Sequence, residues 1–400
     1  MGQGLSHRNT RITRIGWLVA IVCALNGLCA PRLAAQEIEN FSQYPGFREY
    51  FASNPPRSDP PEGRERALLE RHRPRFHLPK GHAGLISFYD DYIAQGVLSR
   101  ANGAVLSTAV TRDLLNQHKD DPAVVFAHRP DPSVAQHPVV FGRIDRDQVD
   151  LGAGGRRFTF LTYHAVFRHS GLAAGMAGWQ ILLAGTVGNL NDWHQLDHYT
   201  AATLVLDETM APVALLVQQH NNQRTYLLGE GYRLPADGRP EIDVAIRSNE
   251  LYPHEPGRRR HKAVRYPDAE AMKYLLGTAG RPFISADDIT DPAAESPYQL
   301  RFLPPNDGFY TFKGFLGERR MLPGRDGPPG ADYNTIPVLK PWRLQLLAGY
   351  WRPDHRGDGA RLMQSLKQPD WFMHMLQKQT AVFAANLTCA RRLGAGCVFE

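Results

Sequence analysis

The pattern of apolar and polar positions is densest between residues 139 and 246, where it reads as a run of strands. Residues 139–144 (VVFGRI) and 158–167 (FTFLTYHAVF) carry the aromatic and β-branched content of a half-buried sheet. In the longer run, side chains alternate between faces: Leu161, Tyr163 and Ala165 share one side, Phe160, Thr162 and His164 the other. Residues 199–207 and 213–219 predict a hairpin, joined by a loop that ends in Pro212. Residues 224–228 and 242–246 predict two shorter strands, and Gly152 to Gly155 supplies a turn. Helical spacing is confined to two places. Arg64–His72 predicts a short helix, and Leu362, Met363 and Leu366 predict another in residues 358–377, divided by Pro369. Short strands without strand–helix alternation predict a mostly β chain, an antiparallel β-sandwich with long loops. No internal repeat of fixed period is present.

The ends of the chain change this picture. Arg8, Arg11 and Arg14 precede an apolar stretch, Ile15 to Ala30, and Leu33-Ala34-Ala35 offers a small-residue cleavage site. These are the three parts of a secretory signal peptide. A membrane anchor is the alternative, but the apolar run is short for a span of about 20 residues. The expected organisation is a signal peptide over 1–35, a polar N-terminal arm over 36–74, a β-sandwich over 75–350 and a C-terminal helical segment over 351–400. A secreted or periplasmic location follows, with no integral membrane segment after cleavage. Cys23 and Cys29 leave with the leader, and Cys389 and Cys397 remain as a pair suited to a disulfide in an exported chain.

Charge excludes one class of partner. The formal net charge is +6, but residues 1–35 hold Arg8, Arg11, Arg14 and Arg32 and no acid, so the mature chain carries +2. No global field draws it to nucleic acid. The local run Arg258-Arg259-Arg260-His261-Lys262 reads as a solvated loop. The expected partner is a small-molecule or surface ligand.

Candidate chemistry concentrates in residues 191–199 (NDWHQLDHY). His194, Asp197 and His198 lie within five residues, and His220 ends a later strand. If the hairpin pairs as expected, these groups reach one sheet edge, with His164 on the neighbouring strand. Such a set holds a divalent cation (Ca, Mg or Zn) through imidazole nitrogen and carboxylate oxygen. The alternative is a His oriented by an Asp as a general base. On a strand His194 and His198 sit about 13 Å apart, so a shared ion requires a turn there. Trp193 could shape an adjacent pocket or fill the core. Arg247 and Asn249 are candidate ligand contacts. No Gly-x-Ser-x-Gly, His-Glu-x-x-His, phosphate loop or dinucleotide fingerprint occurs. Whether the chain is an enzyme stays open.

Several of these blocks resemble the vacuolar protein sorting-associated protein 62 family. The family's His-Glu-x-Asp-Trp-Glu block is similar to His194-Gln195-Leu196-Asp197-His198-Tyr199, followed by Pro212 and His220. Its Val-Ala-x-x-Ser-His-Ala-x-Tyr-Pro block resembles Val244 to Pro253, with Asn249 where the family has His. Residues 312–317 echo a later Gly-x-Trp-Gly piece. Necrosis-inducing toxins are similar at an Asp-Trp-Glu block that holds a divalent cation on a β-sandwich. The resemblance implies a β-sandwich with a cation near His194, Asp197 and His220. It leaves three activities open: ligand binding, metal-dependent hydrolysis, and toxin-like action on membranes.

Overall fold

The computed structural model describes residues 59–254 and 293–317, except 122, 130, 132–135, 151–154, 170, 172–195, 199, 220–221, 230–231 and 313. The proposed signal peptide, Cys389, Cys397 and the expected helix over 358–377 lie outside the described residues.

The chain is mostly β. Thirteen strands among the described residues form three sheets. The six-stranded sheet contains the strands that the hydrophobic pattern marks out. They are β5 (Val139–Asp150), β6 (Gly155–Ala165), β7 (Ala201–Leu206), β8 (Pro212–Gln219) and β9 (Asn222–Leu227), antiparallel in succession. Strand β13 (Gln299–Phe302) joins the free edge of β5 in parallel. A four-stranded sheet is ordered β11 (Leu251–Pro253), β10 (Glu241–Val244), β1 (Arg75–Pro79) and β12 (Ala293–Glu295), with β1 and β10 parallel. A three-stranded sheet holds β3 (Val105–Ser107), β2 (Gly96–Arg100) and β4 (Val124–His128).

The two parallel pairs correct the expectation of a purely antiparallel fold. Both join strands far apart in sequence, and parallel pairing needs a long crossover that local patterning does not register. The strand pairing legible in the sequence was that of the 199–219 hairpin.

Alternation along the strands decides the core. Leu161, Tyr163 and Ala165 of β6 join Val140, Leu204 and Leu215 in one apolar cluster, as their shared face requires. Phe76, Ile242, Val244 and Leu251 of the four-stranded sheet enter the same cluster. Leu69, on helix α1 (Gly63–Arg71), is fully buried there too. The end of the polar arm is therefore part of the packed domain. Burying each such side chain is worth about 1.5–3 kcal/mol.

A second cluster collects Val139 and Phe141 with Leu98, Val124 and Phe126 of the three-stranded sheet. Phe309 of the single helical turn α3 (Gly308–Thr311) belongs to it. That turn is held by buried Asp307, which accepts hydrogen bonds from Phe309 N at 3.0 Å, Arg112 Nε at 2.7 Å and the Tyr89 hydroxyl. Arg112 opens helix α2 (Arg112–Gln117), whose cap Thr111 accepts from Leu114 N.

Candidate metal centre

The edge expected from the hairpin is present. His164 pairs with Ala201 and Ala202 with Val217, so the His164 end of β6, the Thr200 end of β7 and the Gln219 end of β8 lie together. The candidate groups at this edge have different surroundings. Asp197 forms an isolated bridge with Phe167, which leaves the backbone extended there. Its carboxylate accepts from Thr200 Oγ1 at 2.8 Å and Asn249 Nδ2 at 3.0 Å. The neighbouring His198 ring instead packs against Phe88 and Phe309, with centroids at 5.7 and 5.8 Å. His164 contacts Phe309 and Tyr310, and neither of its ring nitrogens has a hydrogen-bond partner. Burial, then the Arg143 charge, push the His164 pKa down to about 3. Arg247 is exposed. Trp193, His194 and His220 lie outside the described residues.

Asn249 is the hub of a polar chain. It ends a turn in which Asn249 N donates to Ala245 O at 3.2 Å, and its φ of 56° is left-handed, a conformation Asn tolerates better than most residues. Its amide also donates to His169 O at 2.8 Å. His82 Nδ1 accepts from Gly84 N at 2.9 Å, so Nε2 carries the proton and donates to Asn249 Oδ1 at 3.1 Å. Burial pushes the His82 pKa down to about 4, against the opposing Asn249 bond. A neutral His, an amide and a carboxylate so arranged tie three segments together.

Among the described residues, a set of groups able to hold a metal lies away from this edge. Among the described residues, one set of three or more His, Cys, Asp or Glu brings its ligand atoms within 4.8 Å of one another: His77, Glu241 and His254. Register builds it. Arg75 is paired with Glu241, and His77 with Asp243, across β1 and β10. His254 follows β11, its N–H donating to Glu241 O at 2.9 Å. On the other side His77 is paired with Glu295 of β12. Phe76, Ile242 and Val244 alternate with these residues and enter the apolar core, so the polar residues share the opposite face.

The ligand atoms are also oriented. His254 Nδ1 lies 2.7 Å from Asp243 Oδ1, which fixes Nδ1 as the donor and leaves Nε2 as the lone pair. A carboxylate behind a ligating imidazole is a recurrent support for bound metals. His77 Nε2 is buried with no hydrogen-bond partner. Burial, then the neighbouring His254, lower the His77 pKa, so at neutral pH the ring offers a nitrogen without displacing a proton. Arg75 Nη1 donates to Glu241 Oε1 at 3.0 Å and holds the third ligand in place. The two imidazoles stack with centroids 4.1 Å apart and planes 16° from parallel. Donors on a tetrahedral ion stand about 3.4 Å apart.

Two imidazoles and a carboxylate suit zinc or a similar transition ion better than Ca or Mg, which prefer oxygen donors. The sequence reading missed this set. Its only local signal was alternation in Arg75-Phe76-His77-Leu78 and Glu241-Ile242-Asp243-Val244, which marks strands and says nothing of their pairing.

Comparison with known proteins finds no matching family model, no matching curated protein and no matching solved structure.

Proposed function

We propose that the chain is an exported β-sandwich protein that binds one divalent transition-metal ion, zinc first among them, through His77, Glu241 and His254. The observation that carries the reading is the convergence of three ligand atoms within 4.8 Å, one of them on an imidazole already oriented by Asp243. The sandwich reading is supported by the single apolar cluster shared between the six- and four-stranded sheets. Export is supported by the three-part leader in residues 1–35. The likeness to the vacuolar protein sorting-associated 62 family is compatible with this reading but places its cation elsewhere, near Asp197. In the described structure both Asp197 oxygens accept hydrogen bonds, from Thr200 and Asn249.

The test is elemental analysis of the purified mature protein after dialysis, beside His77→Ala/His254→Ala. One zinc per chain in the parent and none in the variant is expected. An ion retained by the variant, or none in the parent after zinc incubation, overturns the assignment.

A further inference from the structure

We propose that the ion at His77, Glu241 and His254 is hydrolytic, that Glu295 is the base for its water, and that the substrate is an uncharged acyl compound, an ester or amide. The inference rests on the metal-binding reading above and adds a reaction to it.

Ligand count is the first argument. The described residues converge three ligands and no fourth. The Asp243 carboxylate on the same face is engaged with His254 Nδ1. Closed structural zinc sites take four protein ligands, whereas three, as two His and one Glu, leave a position for water or substrate. The Glu241 and His254 side chains are 25 % and 23 % exposed, so solvent reaches the set from their side.

Glu295 is the second argument. It lies directly across the antiparallel β1–β12 pair from His77, and its charge acts on the His77 ring. Residues so paired have Cβ atoms about 4.5–5.5 Å apart. Glu295 is half exposed, and its one ion pair among the described residues, with Arg75 Nε, is long at 3.9 Å. It is thus a carboxylate beside the ligands, loosely held.

Charge selects the substrate. Asp237, Glu241 and Glu295 all pair with one guanidinium, Arg75, and Asp243 lies on the same strand face as Glu241. Among the described residues these carboxylates outnumber the guanidinium they pair with, and that surplus disfavours a phosphate.

The reaction balances without a further cofactor. A water polarised by the ion gives a proton to the Glu295 carboxylate, and its oxygen bonds to the acyl carbon. The bond from that carbon to the alcohol oxygen or amine nitrogen breaks. The leaving group takes the proton from Glu295, and the products are a carboxylic acid and an alcohol or amine.

The experiment uses the mature protein loaded with zinc, with p-nitrophenyl acetate and p-nitrophenyl phosphate as probes, beside Glu295→Gln and His77→Ala/His254→Ala. Expected are chelator-sensitive cleavage of the acetate and no cleavage of the phosphate. Glu295→Gln should keep its zinc and lose on the order of a hundredfold in kcat, and the double variant should lose both zinc and turnover. Zinc bound one to one with turnover no higher than the double variant's overturns the hydrolytic proposal and leaves metal binding standing. Absence of zinc overturns both. Loss of zinc in Glu295→Gln makes Glu295 a fourth ligand and closes the site. Preferential cleavage of the phosphate overturns the substrate class.

Discussion

Lowering the pH from 7 to 5 should remove about 5–6 kcal/mol of stability from the metal-free protein through three buried imidazoles. Burial is the first cause in each. His164 is pushed down to about 3, and His82 and His128 to about 4. His128 is stacked on Tyr92 with centroids 4.2 Å apart, its Nδ1 3.2 Å from Tyr92 O. In the unfolded chain each ring titrates near 6.5, as an exposed His does. The folded pKa is thus the lower one, and the unfolded chain binds more protons between the two values. Stability is full above about pH 6.5 and falls as the pH drops toward 4. Between pH 7 and 5 each ring contributes a loss of about 2 kcal/mol. The total matches a large part of the roughly 5–15 kcal/mol that holds a domain folded. His72 and His77 are shifted the same way, also first by burial, and steepen the trend. Guanidinium unfolding at pH 7, 6 and 5, with a chelator present, measures it. The slope near pH 5.5 should correspond to at least two protons taken up on unfolding, and His164→Leu should reduce it by about one. Stability that stays flat from pH 7 to 5, or a slope unchanged in His164→Leu, would refute the reasoning.

Other substitutions probe the remaining links. Asp243→Asn should weaken zinc binding about 10- to 100-fold by isothermal titration while leaving the chelated protein's melting temperature nearly unchanged, because it removes the group that orients His254. Asn249→Ala should cost about 2–4 kcal/mol in denaturant unfolding, since it strips the buried Asp197 of one partner and puts a Cβ without a compensating amide at a φ of 56°. Gly314→Ala should destabilise by about 1–3 kcal/mol, because its Cβ would stand 2.2 Å from Val124 O and push residues 314–316 away from β4. Thr162 and Thr203 share a buried hydrogen bond at 2.9 Å, so each single change to Val should cost about 1–2 kcal/mol and the double change less than the two together, read by a double-mutant cycle.

Periodicity by itself determined the central hairpins and their faces. The alternation in residues 158–167 placed Leu161, Tyr163 and Ala165 on one face and Phe160, Thr162 and His164 on the other, and the structure buries both faces. It also placed His164 at the same sheet edge as Asp197, because an antiparallel hairpin of known length returns its ends to one side. Arg64–His72 was legible as a helix within a residue at each end. Tertiary structure alone decided what the polar residues do there. Asp197 and His198 are neighbours in sequence, yet one joins Asn249 and Thr200 while the other packs on Phe88 and Phe309. The set of His77, Glu241 and His254 had no counterpart in the reading. His77 and Glu241 are 164 positions apart and meet only because β1 pairs in parallel with β10, a long-range choice made by burying Phe76 against Ile242 and Val244. Local pattern tells which face of a strand is apolar, and the closing of distant strands over a shared core settles which polar groups then stand side by side.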